Sequence, residues 1–391
     1  MKYVVLIPDG ASDYPLDELG SKTPLEVADM PHLKELVSKS ELGLVETIPE
    51  GFSPGSDVAN LNILGYDPKK YYSGRGPLEA AYHGIEVASK DTVFRCNLIT
   101  VKNGIIKDYS ASHIETEDAA TLIKAVDAEL GSKEISFYPG MSYRHLTVFN
   151  NRQLAELGTV APHDVMGQPI ESLWPKGDGA DFIIDLTKRS TAVLENHPIN
   201  KERQAKGLNP ANMIWLWGSG QKKALPSFKE RFGLTGAVIS AVDLIKGLGV
   251  SAGLEVVNVP GATGYYDTDY EAKAKASLKV LTKDDFVYVH VEAPDEAGHV
   301  GNVEEKVRAL ENFDKRLLRI MLSELDLDNT RIMLLPDHAT PIILKTHTRD
   351  KVPYLIYPGN SGAQSFDENT AAEVDSKDLK GYELMVYFLQ R

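Results

Sequence analysis

Residues 286–299 read Phe-Val-Tyr-Val-His-Val-Glu-Ala-Pro-Asp-Glu-Ala-Gly-His, and this stretch decides the fold. The run Phe286–Glu292 is apolar and β-branched, as a buried strand requires, and it stops at Ala293-Pro294. Asp295 and His299 follow four residues apart, so one helical turn or a compact loop would aim both at a single ion. Open α/β sheets bind ligands at the carboxyl ends of their strands, and a strand that runs into ligand-competent side chains fits that plan. Taken alone, the Asp-x-x-x-His pair reads equally well as a surface loop.

The same rhythm extends on both sides. The spacing predicts a helix over 236–248, a strand over 253–258, a helix over 270–281, a long amphipathic helix over 302–324 and a strand at Arg331–Leu335. Near the start, Tyr3–Ile7 reads as a strand that stops at Pro8-Asp9-Gly10, and residues 31–39 as a helix with Leu33, Leu36 and Val37 on one face. Gly51–Gly55 is a Gly/Pro/Ser loop, and a short helix runs from Ser56 to near Gly65. Strands alternating with helices imply a largely parallel sheet flanked by helices. The middle differs, with strands over 92–101, 135–138 and 144–149, a helix over 116–130, and a Gly-, Pro- and Lys-rich stretch over 174–225 that holds an aromatic strand at Met213–Trp217. The expected fold class is therefore α/β. Residues 1–88 and 230–391 form one discontinuous domain, and a smaller α+β domain, 89–229, is inserted in it.

The chain of 391 residues is long enough for two cores. A net charge of −14 argues against a general nucleic-acid binder, which needs a basic surface, but a local cationic cleft for a small anion remains open. The single cysteine, Cys96, excludes an internal disulfide and a Cys-based zinc site, so any metal must use oxygen and imidazole ligands. No apolar run approaches the roughly 20 residues that span a bilayer. A cytoplasmic enzyme with no membrane partner is the expectation. The sequence says nothing of oligomeric state.

Four segments carry chemistry, each at a strand end or helix start. Asp9 follows the first strand, although Asp-Gly is also a common turn pair. Ser56 lies in Pro-Gly-Ser-Asp-Val-Ala-Asn, where it suits a helix N-cap, and the free N–H groups and positive dipole end there also favour an alkoxide or a phosphate. Asp295 and His299 form the third segment. Asp337 and His338 end an apolar strand, and His347 returns nine residues after His338. Four such coincidences are unlike chance in a chain with ten His.

Together, the Asp-Gly after the first strand, Gly-Ser-Asp-Val-Ala at 55–59, Pro-Asp-Glu-Ala-Gly-His at 294–299, Asp-His-x-Thr-Pro at 337–341 and Thr-His-Thr at 346–348 resemble the archaeal type of cofactor-independent phosphoglycerate mutases. These belong to the alkaline phosphatase superfamily. The resemblance runs nearly end to end, through Gly74–Ala80, Phe94–Asn97, Tyr143–His145, Pro162–Asp164 and Ile214–Gly218. It implies an alkaline-phosphatase-like sheet and two divalent ions, one on Asp295, His299 and His347, the other on Asp9, Ser56, Asp337 and His338. The ligand chemistry leans to manganese or zinc over magnesium, which rarely takes imidazole. Ser56 would be the nucleophile and pass through a phosphoserine, and Asp164 would serve as acid and base. Arg144, Arg203, Lys206 and His163 are candidates for the carboxylate and phosphate of a small phosphorylated substrate. Arg75 fits a structural role, while His113 and His145 suit substrate or core equally. His290, mid-strand, reads as core. Ser112 stands where the family pattern leads one to expect Gly.

The implied reaction interconverts 3-phosphoglycerate and 2-phosphoglycerate. The same metal set also serves phosphatases, and bacterial relatives have been proposed to be homoserine kinases. A kinase needs a nucleotide site, and no Gly-x-x-x-x-Gly-Lys-[Ser/Thr] loop is present. A non-enzymatic binding module would not need all seven ligand residues.

Overall fold

The computed structural model of the protein describes residues 1–374 and 377–390. The chain forms two compact units, Met1–Tyr72 together with the chain from Ala224 onward, and Ser73–Lys223.

The first unit is built on an eight-stranded sheet. Its centre is the opening strand Lys2–Pro8, parallel to Phe286–Val291 on one side and to Thr330–Leu334 on the other. Phe286–Val291 is fully buried and pairs in parallel with Gly236–Ile239. These runs are mostly apolar because helices cover both faces of a parallel sheet. The register opposes Ile7 to His290 and Leu6 to Leu334, so three strands end at one level. That is what gathers Asp9, Glu292 and Asp337 from positions far apart in sequence. Val352–Tyr357 and Glu41–Glu46 extend the sheet in antiparallel pairs, and two-residue strands, Glu255–Val256 and Leu379–Lys380, lie parallel at its edges.

The strand ends are packed too closely for side chains on the backbone there. Gly10 has φ +61, and a Cβ on it would sit 2.5 Å from Asp295 Oδ1. A Cβ on Gly298 would sit 2.5 Å from the Thr340 carbonyl oxygen. Both glycines let the loops after three strands touch.

Some expectations are corrected. The predicted helix over 236–248 is a strand, Gly236–Ile239, followed by a helix, Asp243–Ser251. A short apolar run has no period that separates strand from helix, and here the parallel neighbour decides. The long helix over 302–324 is continuous but has a π-helical segment at Phe313–Leu318, where the buried Asp314 carboxylate accepts the backbone N–H of Leu33 at 2.7 Å. The sequence signal misses Val352–Tyr357, a buried strand interrupted by Pro353, and Glu41–Glu46 beside it.

The second unit is a five-stranded antiparallel sheet centred on Thr92–Lys102, which pairs with Ile105–Asp108, Arg144–Phe149 and Met213–Gln221. The helices Thr116–Leu130 and Ala180–Leu194 pack on it. The second of these was hidden by the polar composition of 174–225, yet Ile183, Leu186, Thr187, Ser190 and Leu194 follow a helical spacing and are buried. Residues 73–88, placed by the sequence reading with the larger domain, belong here. The helix Arg75–Tyr82 packs on Thr92–Lys102 and Met213–Gln221, and Glu79 pairs with Arg95 at 3.0 Å.

Candidate metal centre

In the first unit, all seven side chains named as ligands come together at the carboxyl ends of the three central strands. Asp295 and His299 lie on one face of the helix Ala293–Val300, with Asp295 Oδ2 3.2 Å from His299 Nε2. His347 arrives on the loop after Thr330–Leu334, its Nε2 3.0 Å from His299 Nε2 and 3.5 Å from Asp295 Oδ1. These separations match the ~3.4 Å between ligands of a tetrahedral ion with bonds of about 2.0–2.1 Å.

Hydrogen bonding sets which nitrogen faces the ion. His299 Nδ1 lies 3.1 Å from the Lys345 carbonyl oxygen, which only accepts, so Nδ1 carries the proton and Nε2 offers its lone pair. Thr340 works likewise on His338. Its hydroxyl donates to Asp295 Oδ1, so His338 Nδ1, at 3.2 Å, is the donor to Thr340 Oγ1. His338 Nε2 is then an acceptor, 3.1 Å from Ser56 Oγ and 3.5 Å from both Asp9 Oδ1 and Asp337 Oδ2. Thr340 thereby couples the two ligand groups. It is held in turn by Lys306, fully buried, whose Nζ donates to the Thr340 carbonyl at 2.9 Å and pairs with Asp13 at 2.7 Å.

Ser56 opens the helix Ser56–Ile63, and the N-cap is Gly55 rather than Ser56. Its hydroxyl makes no cap and is left to face His338. Asn60, one turn on, is buried and ties this helix to the site, donating to Asp337 Oδ2 at 2.7 Å and accepting from the Tyr288 hydroxyl. The backbone N–H of Gly10 donates to Asp337 Oδ1 at 3.1 Å.

The electrostatics are those of an anionic cluster that calls for cations. Burial, then the charges of Asp337 and Asp295, raise Asp9 well above the usual carboxylate range. Burial would also raise Asp295, but His347 and His299 outweigh it and hold it well below that range. His299 is lowered by burial but raised more by Asp295, to about 9, whereas burial takes His338 down to about 4. His338 thus presents a neutral Nε2 lone pair toward Ser56, Asp9 and Asp337. Among the described residues, Asp9 Oδ1 and His290 Nε2 are buried with no hydrogen-bond partner, as expected of atoms whose partner is an ion. The oxygen and imidazole donor set fits divalent cations.

Sequence reasoning missed the groups behind the ligands. His290 is not simply core, because Nε2 points at Asp9 Oδ2, 3.5 Å away, and Asp337 Oδ2, 3.8 Å away. Its alternation with Val289 and Val291 on a strand buried on both faces left no signal. Asn60 and Thr340 lie within quoted motifs, and their helical or strand-end spacing to Ser56 and His338 was the available clue.

In the second unit, the named residues divide between two places. His163 and Asp164 lie exposed on the 3-10 turn Pro162–Val165, 3.7 Å apart. The His163 ring meets Trp217 and Tyr109 edge-on, Tyr109 meets Tyr143, and the exposed Arg144 lies over Tyr143. Arg75 and Arg95 lie over Trp217, so three guanidiniums surround one aromatic patch. Burial, with the charges of Arg75 and Arg144, lowers the Arg95 guanidinium from its usual value, and Glu79 only partly offsets them.

Arg203 is elsewhere. It is buried, and its guanidinium donates to the carbonyls of Ala111 and Asn209. It therefore supports the loop in which Ala111, Ser112 and His113 all have positive φ, a conformation braced by the Asp108 carboxylate on the Ser110 and Ser112 N–H groups. Ser112, at φ +56, occupies a position that glycine adopts without strain. Lys206 is exposed and pairs with Glu202 at 2.7 Å.

His145 is buried, its Nδ1 accepting the Gly140 N–H at 3.0 Å, and burial with the Arg144 charge lowers it to about 3. A folded-state value below the unfolded ~6.5 means that the unfolded chain binds the extra proton between those values, so stability is full above ~6.5 and falls as pH drops, by up to about 1.4 kcal/mol per unit. Urea unfolding of the protein and of His145→Gln across pH 7 to pH ~4 should show the variant with the shallower slope.

Comparisons with known proteins cover nearly the whole chain. A family model described as 2,3-bisphosphoglycerate-independent phosphoglycerate mutase matches residues 38–200. The enzyme of that name from Methanosarcina barkeri is 51% identical over 392 residues, covering 97% of this chain and 98% of its own. A solved Pyrococcus horikoshii protein superposes with a TM-score of 0.84 at 28% identity, over 99% of this chain and 97% of its own. The cofactor-independent phosphoglycerate mutase of Thermoplasma acidophilum gives a TM-score of 0.64 at 28% identity, over 100% of this chain and 99% of its own. With likeness to relatives along nearly its whole length, the chain belongs to the 2,3-bisphosphoglycerate-independent phosphoglycerate mutase family.

Proposed function

We propose that this protein interconverts 3-phosphoglycerate and 2-phosphoglycerate through a phosphoserine on Ser56, at a site that holds two divalent cations. The observation that carries this reading is the Ser56 hydroxyl at a helix start, 3.1 Å from the His338 imidazole, whose Nε2 in turn lies 3.5 Å from Asp9 and from Asp337. Asp295, His299 and His347 would hold one cation, and Asp9, Ser56, Asp337 and His338 the other. When bound, the cations neutralise charge on the transferring phosphoryl group and favour the ionised serine.

The rest falls to the chain. Ser56 Oγ attacks phosphorus, a serine–phosphorus ester bond forms, and the bond to the glycerate oxygen breaks. The unpaired N–H groups at the start of the helix Ser56–Ile63 favour the negative charge that gathers there. The departing glycerate oxygen takes a proton, the glycerate re-orients, and its other hydroxyl attacks the phosphoserine to restore Ser56. Asp164 is the proposed proton carrier, and Arg144 and His163 the proposed substrate contacts, Arg144 being exposed at the rim of a cationic aromatic patch. Arg203 and Lys206 are less suited to that role, since each already has partners.

The two arginines should separate cleanly. Arg144→Ala is expected to raise KM for 3-phosphoglycerate at least ~10-fold with unchanged melting, the scale of one lost charged contact. Arg203→Ala should instead lower stability by about 1–3 kcal/mol, because two buried carbonyls lose their donor. Steady-state kinetics beside thermal melts read both.

The test of the function is turnover of 3-phosphoglycerate by the manganese-loaded protein in an enolase-coupled assay. Homoserine with ATP, and release of free phosphate, run in parallel. Homoserine phosphorylation or steady phosphate release without mutase turnover would refute the proposal.

A further inference from the structure

We propose that His290 is itself a ligand of the cation held by Asp9 and Asp337, a fifth side chain beside Ser56 and His338. This rests on the two-cation reading above and goes beyond it in adding a residue that lies mid-strand.

The geometry has three parts. First, the imidazole is fully buried and aimed. Nε2 lies 3.5 Å from Asp9 Oδ2 and 3.8 Å from Asp337 Oδ2, and it has no hydrogen-bond partner among the described residues. These separations are too long for hydrogen bonds. They lie close to the about 3.0–3.5 Å between atoms that share one ion at 2.0–2.2 Å, and close to the 3.0–3.5 Å within the group of Asp295, His299 and His347.

Second, the ring is oriented for a ligand. Nδ1 faces Glu292 Oε1 at 3.2 Å, and a carboxylate only accepts, so Nδ1 keeps its proton and Nε2 is the atom left to meet a cation between it and the Asp9 and Asp337 carboxylates. A carboxylate behind a histidine is the usual arrangement for orienting a metal-bound imidazole.

Third, Glu292 is fixed in that duty. Its Oε1 also accepts from Ser240 Oγ at 2.7 Å and from the Ala241 N–H at 3.0 Å, and its Oε2 accepts from Lys273 Nζ at 3.0 Å. Lys273, fully buried, donates as well to the His290 carbonyl at 2.8 Å. These donors hold Glu292 behind the imidazole. A buried ion pair of this kind contributes little net stability against the cost of desolvation. Its consequence here is to hold one imidazole against two carboxylates.

The test uses the full chain and manganese alone, titrated calorimetrically into the chelator-treated protein. His290→Asn keeps a donor near the Nδ1 position and removes the group at Nε2. His290→Gln puts an amide oxygen where Nε2 was. The expected result is that His290→Asn weakens one of two binding events at least ~10-fold and leaves the other unchanged. His290→Gln should recover most of that loss, and metal-free melting should stay alike in all three proteins. Two events at unchanged affinity in His290→Asn would overturn the assignment, and so would equal weakening of both, which marks a structural role. If His290→Asn does not fold, a Gln variant no better than His290→Ala overturns it. Wild-type protein that binds fewer than two ions overturns the two-cation reading with it. Loss of one event in His290→Asn together with no turnover of 3-phosphoglycerate supports the ligand and overturns only the mutase reading.

Discussion

Ser56→Ala is expected to reduce mutase turnover by on the order of 10⁴–10⁶-fold, the scale of losing a covalent nucleophile, with the fold intact. The side chain lost is small, and among the described residues its hydroxyl meets His338 Nε2. The helix it opens is capped at Gly55 and tied down by Asn60 on Asp337, neither of which needs the hydroxyl. Stability should therefore change little, whereas the atom that receives phosphorus is gone. His338 and the carboxylates remain and can still polarise the substrate, but no residue within that group offers an equivalent alkoxide. An enolase-coupled assay beside a thermal melt measures both effects. Intact-mass analysis of acid-quenched wild-type protein with substrate should show one added phosphoryl group, absent from the variant. A variant with wild-type turnover would refute the phosphoserine route.

The second large effect is removal of divalent cations, expected to lower turnover at least ~10³-fold, with recovery on adding manganese or zinc and less on adding magnesium. Asp9, Asp295 and Asp337 are buried within one cluster, and burial with the two neighbouring charges is what raises Asp9. A dication reverses that, because it favours the charged carboxylate more than burial opposes it. Binding must also displace protons from Asp9 and from His299, which Asp295 raises to about 9 against the pull of burial. The sign follows directly. Apparent metal affinity falls as pH drops, by about tenfold per unit for each proton displaced. Calorimetry in two buffers of different ionisation enthalpy counts those protons. Full activity after exhaustive chelation, or affinity that rises toward low pH, would contradict this account.

Much of the candidate site was legible in the sequence because the side chains proposed to hold cations sit in short local patterns. Asp295 and His299 share a helix face by spacing alone, and Asp9, Asp337 and His338 are marked by the apolar strands they end. The parallel sheet followed from the alternation of such strands with amphipathic helices. The helix Thr116–Leu130 and the strands Ile135–Tyr138 and Arg144–Phe149 lie where their periodicity put them. Each of these signals depends on neighbours within about one helical turn or one strand, which is the range over which sequence pattern constrains a chain.

Tertiary structure decided what depends on partners distant in sequence. Gly236–Ile239 became a strand because Phe286–Val291 lies beside it, and Arg75–Tyr82 joined the second unit because Glu79 meets Arg95. Arg203 reads in the sequence as a substrate clamp, but its guanidinium lies under the Ala111 loop and donates to the Ala111 carbonyl. His290 shows the limit most plainly. Nothing in Val289-His290-Val291 tells a core histidine from a ligand, because the difference lies in Glu292 held by Lys273 and Ser240, and in Asp9 and Asp337 across the sheet. A residue's type fixes which atoms it can offer, and only the packing of distant strands fixes which way those atoms point and what they meet.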